Sequence, residues 1–352
     1  MQQKLMKRTA FFCLIFFLVS MGAICYLSSG KVIVIDDVAQ DEVKEAAVVQ
    51  ETTQERGAER KLTFQLGEAD TSYLRIPIPA GCRAAEIAVE NYYMNKEIRI
   101  FVPRAEEEFY VENFVSGNRE AVIEGTFDIA EGGIVLNFQL TGIYECRTIL
   151  ENENLYISFQ APKEMYDKIV VIDPAYGGMD SGGNVDGLKG KDITLQIARK
   201  LKEKLDESDI KAYYTRMDDT NPAREDRIGF ANEVKADMFI RIEINSSEDT
   251  SVYGTETIYN GDYFIPGFGN IELSDCLERE VVTAIKGKAL GLIEAENQDY
   301  ELLEATIPAA TVRVGYLSNA QEAILLGREE YTDKIADGIY NAILKAYEEN
   351  VR

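Results

Sequence analysis

The sequence predicts an α/β protein: a mainly parallel sheet flanked by helices on both faces, preceded by a small antiparallel β-sandwich domain and an N-terminal transmembrane helix. Three observations predict it. From Lys168 the apolar run Ile169-Val-Val-Ile-Asp173 empties into the turn at Gly177-Gly178. It is followed by a helical pattern with Ile193, Ile197, Leu201 and Leu205 on one face, an order that starts an α/β domain. Between residues 61 and 160 the apolar residues instead recur every second position, as in half-buried strands. Near the N-terminus, residues 10–27 are almost wholly apolar and carry no charge, marginal to sufficient for a span that needs about 20 such residues.

Lys4, Lys7 and Arg8 precede that apolar run and acidic residues follow it. Residues 1–9 therefore read as a cytoplasmic basic tail and 10–28 as an anchor with the rest of the chain outside. A cleaved signal peptide is the competing reading, with Ser28-Ser29-Gly30 as small residues for cleavage, although its apolar core is usually only about 7–15 residues long. Either way the expected location is the cell membrane, single-pass, with the C-terminal domains outside the cytoplasm. Residues 29–60, rich in Glu, Gln, Thr and Ala, read as an acidic flexible stalk. In the 61–162 segment Leu62, Phe64 and Leu66 alternate, as do Leu74, Ile76 and Ile78, then Ile134, Leu136, Phe138 and Leu140, then Leu155, Ile157 and Phe159. Turn signals at Ser116-Gly117-Asn118 and Gly132-Gly133 separate them, which fits a small antiparallel sandwich. In the last segment, 166–348, the expected strands are 169–173, 210–214, 238–244, 255–259 and 310–314. Helices are expected near 192–205, 226–235, 272–286 and 333–348.

Composition removes several function classes. With 61 acidic against 37 basic residues and a formal charge of −24, the chain repels polyanions, so no nucleic acid is expected as a partner. Gly177-Gly178 and Gly182-Gly183 have neither the Walker lysine spacing nor the dinucleotide fingerprint. Histidine is absent from all 352 residues, so a Ser or Cys triad has no imidazole base. Cys276 falls in an apolar helical stripe with Leu273, Leu277 and Val281 and reads as core. Cys82 and Cys146 allow either one disulfide or two free thiols.

Six blocks of the C-terminal half stand in a recognisable order. They are Asp173-Pro-Ala-Tyr176-Gly-Gly178, Gly190-Lys191-Asp192, Thr215-Arg216, Arg227 with Ala231-Asn232, the strand around Glu243-Ile-Asn245, and Val312-Arg313-Val-Gly315-Tyr-Leu-Ser318-Asn319. In this order and spacing, over about residues 166–348, the chain resembles the zinc-dependent N-acetylmuramoyl-L-alanine amidases of the Amidase_3 family. The β-domain before it is similar in position to the AMIN-like domains of some amidases, with no motif behind that likeness.

The resemblance implies two histidines and a glutamate as zinc ligands and a second glutamate as general base. At those positions stand Tyr176, Gly190, Glu243 and Arg313. Catalytic zinc needs three protein ligands and an open position. Gly190 offers no donor, and Tyr176 is a phenol with a pKa of about 10. Only Glu243 is a plausible ligand, and Arg313 cannot accept a proton and repels a dication. The expectation is therefore no metal, no other cofactor, no catalytic residue and no enzyme.

Glu243 and Arg313 are expected to pair where the zinc would sit, since buried charges are costly alone; the alternative is that each points separately into an open, solvated site. Asp173, Lys191 and Asn245 join these two as possible ligand-binding residues. Asp173, Asp180, Asp192 and Glu243 are carboxylates that could cluster, against the reading of Asp173 and Asp192 as caps of backbone N–H groups.

The expected function is a membrane-anchored, catalytically inactive amidase-like protein that binds peptidoglycan, a muramoyl-peptide, or a wall, division or sporulation protein. One alternative is an active N-acetylmuramoyl-L-alanine amidase with an unrecognised metal site. The other is a structural scaffold that acts through the β-domain, its cleft closed by Tyr176 and Arg313.

Overall fold

A computed structural model of the protein describes residues 34–35, 60–65 and 72–349, and the chain divides between Phe159 and Gln160 into two compact units. The basic tail and apolar segment expected over 1–28, and nearly all of the stalk expected over 29–60, lie outside the described residues. Among the described residues no helix is long and apolar enough to cross a membrane.

The first unit holds two antiparallel sheets. One has the neighbour order Val34–Ile35, Glu145–Glu151, Asn154–Gln160, Leu74–Pro77, Ser116–Gly117; the other has Ala88–Tyr92, Glu97–Pro103, Gly133–Leu140, Val122–Ala130. Alternation decides which side chains go inward. Ile98, Ile100 and Val102 are buried while Arg99 between them is exposed, and with Leu74, Ile76, Leu136, Phe138, Leu155 and Ile157 they build a core fed by both sheets. Cys82 and Cys146 are free thiols, and Cys82 donates to the Pro103 carbonyl at 3.2 Å. Of the two readings left open for this pair, the structure holds the thiols. Reductant should accordingly leave the thermal melt of the protein unchanged, which a melt with and without dithiothreitol checks.

The second unit is built on six strands: β1 (Ile169–Pro174), β2 (Lys211–Tyr214), β3 (Met238–Asn245), β4 (Thr255–Tyr259), β5 (Ala289–Glu294) and β6 (Ala309–Tyr316). After a single turn of helix at Pro162–Met165, its helices are α1 (Gly190–Asp206), α2 (Arg224–Glu233), α3 (Asn270–Ile285), α4 (Tyr300–Leu303), α5 (Ala320–Leu326) and α6 (Glu329–Glu348). The sheet order is β2-β1-β3-β6-β4-β5. β1, β2, β3 and β6 pair in parallel, as do β4 and β5, but β4 runs antiparallel to β6. Four of the five pairings are parallel, as expected, and the β4–β6 pairing makes the sheet mixed. The reason lies in the connection from β3 to β4, residues 246–254, which is shorter than the roughly dozen residues a parallel crossover requires.

Period two along β3 sorts its side chains between two faces. Met238, Ile240, Ile242 and Ile244 enter the main core with Ile193, Ile197, Leu201 and Leu205 of α1, Leu273 and Leu277 of α3, and Ile335, Ile339 and Ile343 of α6. Each such side chain contributes roughly 1.5–3 kcal/mol when fully buried. On the opposite face Phe230 of α2 meets Tyr213 of β2 edge-on at 5.8 Å, and there the sheet carries charge.

Candidate active site

The charged face follows from strand register. Across parallel β1 and β3, Asp173 stands opposite Arg241; across β3 and β6, Glu243 stands opposite Arg313; across β6 and β4, Arg313 stands opposite Glu256. Opposite charges at directly facing positions are the favourable arrangement for a sheet. Arg241 and Glu243, two residues apart on one strand, then share a face and join the pairs into one cluster.

Arg313 is its hub. Nε donates to Glu243 Oε2 at 2.7 Å and Nη1 to Glu256 Oε1 at 3.1 Å, while Nη2 lies 3.8 Å from Asp299 Oδ1. Asn245 Nδ2 donates to Glu256 Oε1 at 2.7 Å and the Tyr316 hydroxyl to Glu256 Oε2 at 2.9 Å. The Glu243–Arg313 pair expected from the sequence is present, and neither side chain stands alone in solvent. Although burial works against the charged form of Arg313, Glu243 and Glu256 hold its pKa above the ordinary value.

Arg241 joins the second half of the cluster. Its Nη1 donates to Asp173 Oδ2 and lies 3.2 Å from Glu301 Oε1, and its Nε is 3.9 Å from Glu243 Oε1. Asp173, fully buried, also accepts from the Thr215 hydroxyl and from Arg227 Nη1. Burial alone would raise the Asp173 pKa, but Arg241, Arg227 and the Thr215 hydrogen bond outweigh it and hold the carboxyl below its usual value. The capping role expected for Asp173 is thus corrected. Its oxygens go to side chains, because two buried guanidinium groups need the charge more than backbone amides do.

The other expected residues go elsewhere. Lys191 is buried, and its Nζ donates to the Gly178 carbonyl at 2.7 Å and pairs with Asp219 at 2.6 Å, tying the turn after β1 to the loop after β2. Arg216 secures the same turn through the carbonyls of Pro174, Ala175 and Lys191. Of the four carboxylates weighed together, only Asp173 and Glu243 meet, through Arg241. Asp180 accepts from the Gly182 amide, and Asp192 lies exposed in the first turn of α1.

Tyr176 turns inward with φ of +68° and donates its hydroxyl to the Ile244 carbonyl at 2.6 Å. Burial and the neighbouring Glu243 push its pKa far above that of a free phenol. Its ring packs so closely on Gly182 that a Cβ there would collide with it, and Gly182 has φ of +59°. Gly190 backs onto the same turn, where an added Cβ would run into the Gly182 carbonyl oxygen.

Arg241, Glu256, Asp299 and Glu301 were not singled out from the sequence. Arg241 had a signal, a charge alternating with Glu243 inside an otherwise apolar strand. Asp299 and Glu301 lie 56 or more positions along the chain from Glu243, and no local pattern marks them.

The zinc that the resemblance implies does not fit these residues. Among the described residues no group of three or more His, Cys, Asp or Glu side chains could hold a metal ion. The Tyr176 hydroxyl is committed as a donor, Gly190 has no side chain, and Glu243 is held by arginine.

Residues 170–345 match the Amidase_3 family, described as N-acetylmuramoyl-L-alanine amidase. The uncharacterized protein YqiI of Bacillus subtilis (strain 168) is 32% identical over 190 residues, covering 54% of this chain and 90% of the relative. The germination-specific N-acetylmuramoyl-L-alanine amidase of the same organism is 32% identical over 197 residues, covering 52% and 81%. The catalytic domain of the amidase CwlV from Bacillus (Paenibacillus) polymyxa var. colistinus superposes with a TM-score of 0.48 at 29% identity, over 52% of this chain and 99% of that one.

The family match and the germination-specific relative correct the expectation of a chain without enzymatic activity, because both are described as N-acetylmuramoyl-L-alanine amidases. Missing ligand types argue against one route of water activation and not against hydrolysis of an amide as such. With half its length matched, the chain belongs to the Amidase_3 family of N-acetylmuramoyl-L-alanine amidases.

Proposed function

We propose that this protein is a cell-wall amidase that hydrolyses the amide between N-acetylmuramic acid and L-alanine in peptidoglycan, working outside the cytoplasmic membrane to which residues 10–28 anchor it. The observation that carries this reading is the family match over residues 170–345. The germination-specific amidase, 32% identical over most of its own length, supports it. A wall-associated protein is the partner class this reading accommodates.

Since the residues present do not fit zinc, the hydrolytic step is assigned to groups the chain itself has. Amide cleavage needs donors to the developing oxyanion and a group that moves a proton. Arg313 commits Nε and Nη1 to carboxylates and presents Nη2 toward Asp299, 3.8 Å away. Burial raises the Asp299 pKa, opposed by its hydrogen bond from the Glu296 amide and by Arg313, so among the cluster's carboxyls it is suited to carry a proton.

Full-length protein incubated with purified sacculi should release stem peptides with free L-alanine amino termini and no new reducing sugar ends. Asp299→Asn should slow that release about 100-fold or more, the usual range for losing a general acid or base. Binding of sacculi with no peptide released would overturn the reading, and an unchanged rate in the Asp299 variant would remove that carboxyl from it.

A further inference from the structure

We infer that guanidinium groups of the chain take the place of the metal ion in this site, so that the unit folds and holds its site geometry without a divalent cation and excludes zinc. Three independent observations carry it. The first is charge. Arg224, Arg227, Arg241 and Arg313 face Asp173, Glu243, Glu256, Asp299 and Glu301 in a connected network of ion pairs, four guanidinium groups against five carboxyls. A dication entering this set meets carboxyls that each already face a guanidinium group, and it stands beside fixed positive charge.

The second is space. The ring of Tyr176 lies against Gly182, and Gly182 lies against Gly190, so the turn has closed over the point from which a side chain at position 190 would emerge. The third is donor chemistry. The Tyr176 hydroxyl proton is committed to the Ile244 carbonyl at 2.6 Å, and Glu243 accepts from Arg313 at 2.7 Å. Zinc binding would have to break both contacts and still find one carboxylate as ligand.

Taking the metal's place in charge is a different matter from taking its place in chemistry. A guanidinium ion balances carboxylates and donates hydrogen bonds but does not lower the pKa of a bound water as zinc does. The inference is thus independent of hydrolysis: an active protein free of zinc keeps it, and a zinc-loaded protein sinks it whether or not peptide is released.

The test uses the full-length protein in detergent, dialysed against zinc chloride and then against metal-free buffer. Elemental analysis should find no stoichiometric zinc, and the melting temperature should be the same with zinc, with EDTA and with neither. One zinc per chain together with a melting temperature that rises with zinc overturns the inference, since a ligand that binds the native state must stabilise it. Arg313→Met supplies a second readout. It leaves Glu243 and Glu256 without their shared cation and should lower the melting temperature, and adding Glu243→Gln should restore part of the loss. An Arg313→Met protein as stable as the original overturns the claim that this guanidinium does the work of a cation. Glu243→Gln alone, which keeps shape and hydrogen-bonding capacity, remains measurable if Arg313→Met does not fold.

Discussion

Replacing Asp173 by Asn should destabilise the second unit by about 3–5 kcal/mol, the range for removing one partner from a buried charge pair. The side chain has no exposed surface, and two guanidinium groups lean on it: Arg227, whose side chain is 2% exposed, and Arg241 at 13%. Asn keeps the shape and can still accept from the Thr215 hydroxyl, so the loss isolates charge from packing. Arg241 retains Glu301, but Arg227 keeps only uncharged oxygens, those of Pro174, Tyr176, Pro222 and Asn221 and the Thr215 hydroxyl. The damage should therefore centre on the β1–α2 region. The sequence has no tryptophan, so urea unfolding should be followed by circular dichroism or tyrosine fluorescence. A loss under about 1 kcal/mol, the scale of an ordinary exposed pair, would mean that Asp173 is not the anchor described.

The same carboxyl fixes an acid limit. Its folded pKa lies below its ordinary value, so the native state binds the proton less tightly than the unfolded chain does. The linked stability is then fully present above the unfolded carboxyl pKa of about 3.9 and is lost as pH falls through the lower folded value. Asp299 has the opposite sign: its raised pKa favours the folded state below the unfolded value, and that contribution fades as pH rises through the folded one. A pH series of urea midpoints on the parent and Asp173→Asn proteins should converge toward the acid end, because the parent's extra stability disappears there.

How much of this was legible in the sequence depended on whether the cause was local. The expected strands of the second unit appear within a few residues, because long apolar runs and period-two alternation are set by burial alone. β5 was not foreseen. Its residues, Ala289–Glu294, are partly or fully exposed at the sheet edge, so no clean alternation marks it. The reversal of β4 depends on a short loop and on β6, which comes some fifty residues later, and periodicity is blind to both.

The site divides in the same way. Charges on central strands announced that Glu243 and Arg313 needed partners, and register supplied them to each other. Arg241 alternates with Glu243 on an otherwise apolar strand, a pattern that marks a charged face but not the link between the two halves of the cluster, which depends on Asp173 and Glu301 from elsewhere in the chain. Glu256 faces Arg313 only because β4 runs backwards, so its part in the site could not be read before the topology was known.

Gly190 shows most sharply what sequence could not supply. Read as a lost ligand, it invites the repair Gly190→Glu, which a residue table would call a restoration. The structure instead makes this a damaging change, because the first carbon of any side chain meets the Gly182 carbonyl oxygen. Backbone gives way less readily than a flexible side chain, and Gly182 cannot retreat past the Tyr176 ring that covers it. Its φ of +59° is one that non-glycine residues seldom adopt, so the turn is already held in a narrow conformation. The expected cost is about 2–4 kcal/mol, at the upper end for a single substitution that overpacks and displaces main chain. Gly190→Ala should suffer most of the same loss, because the collision is with Cβ and not with the carboxylate. Should Gly190→Glu instead fold as stably as the parent and take up zinc, the turn is free to open, and the closed arrangement of Tyr176, Gly182 and Gly190 is not a barrier to metal. Equal losses in the Ala and Glu variants, with zinc absent from both, place the obstacle in the backbone of this turn, where no single restored ligand can remove it.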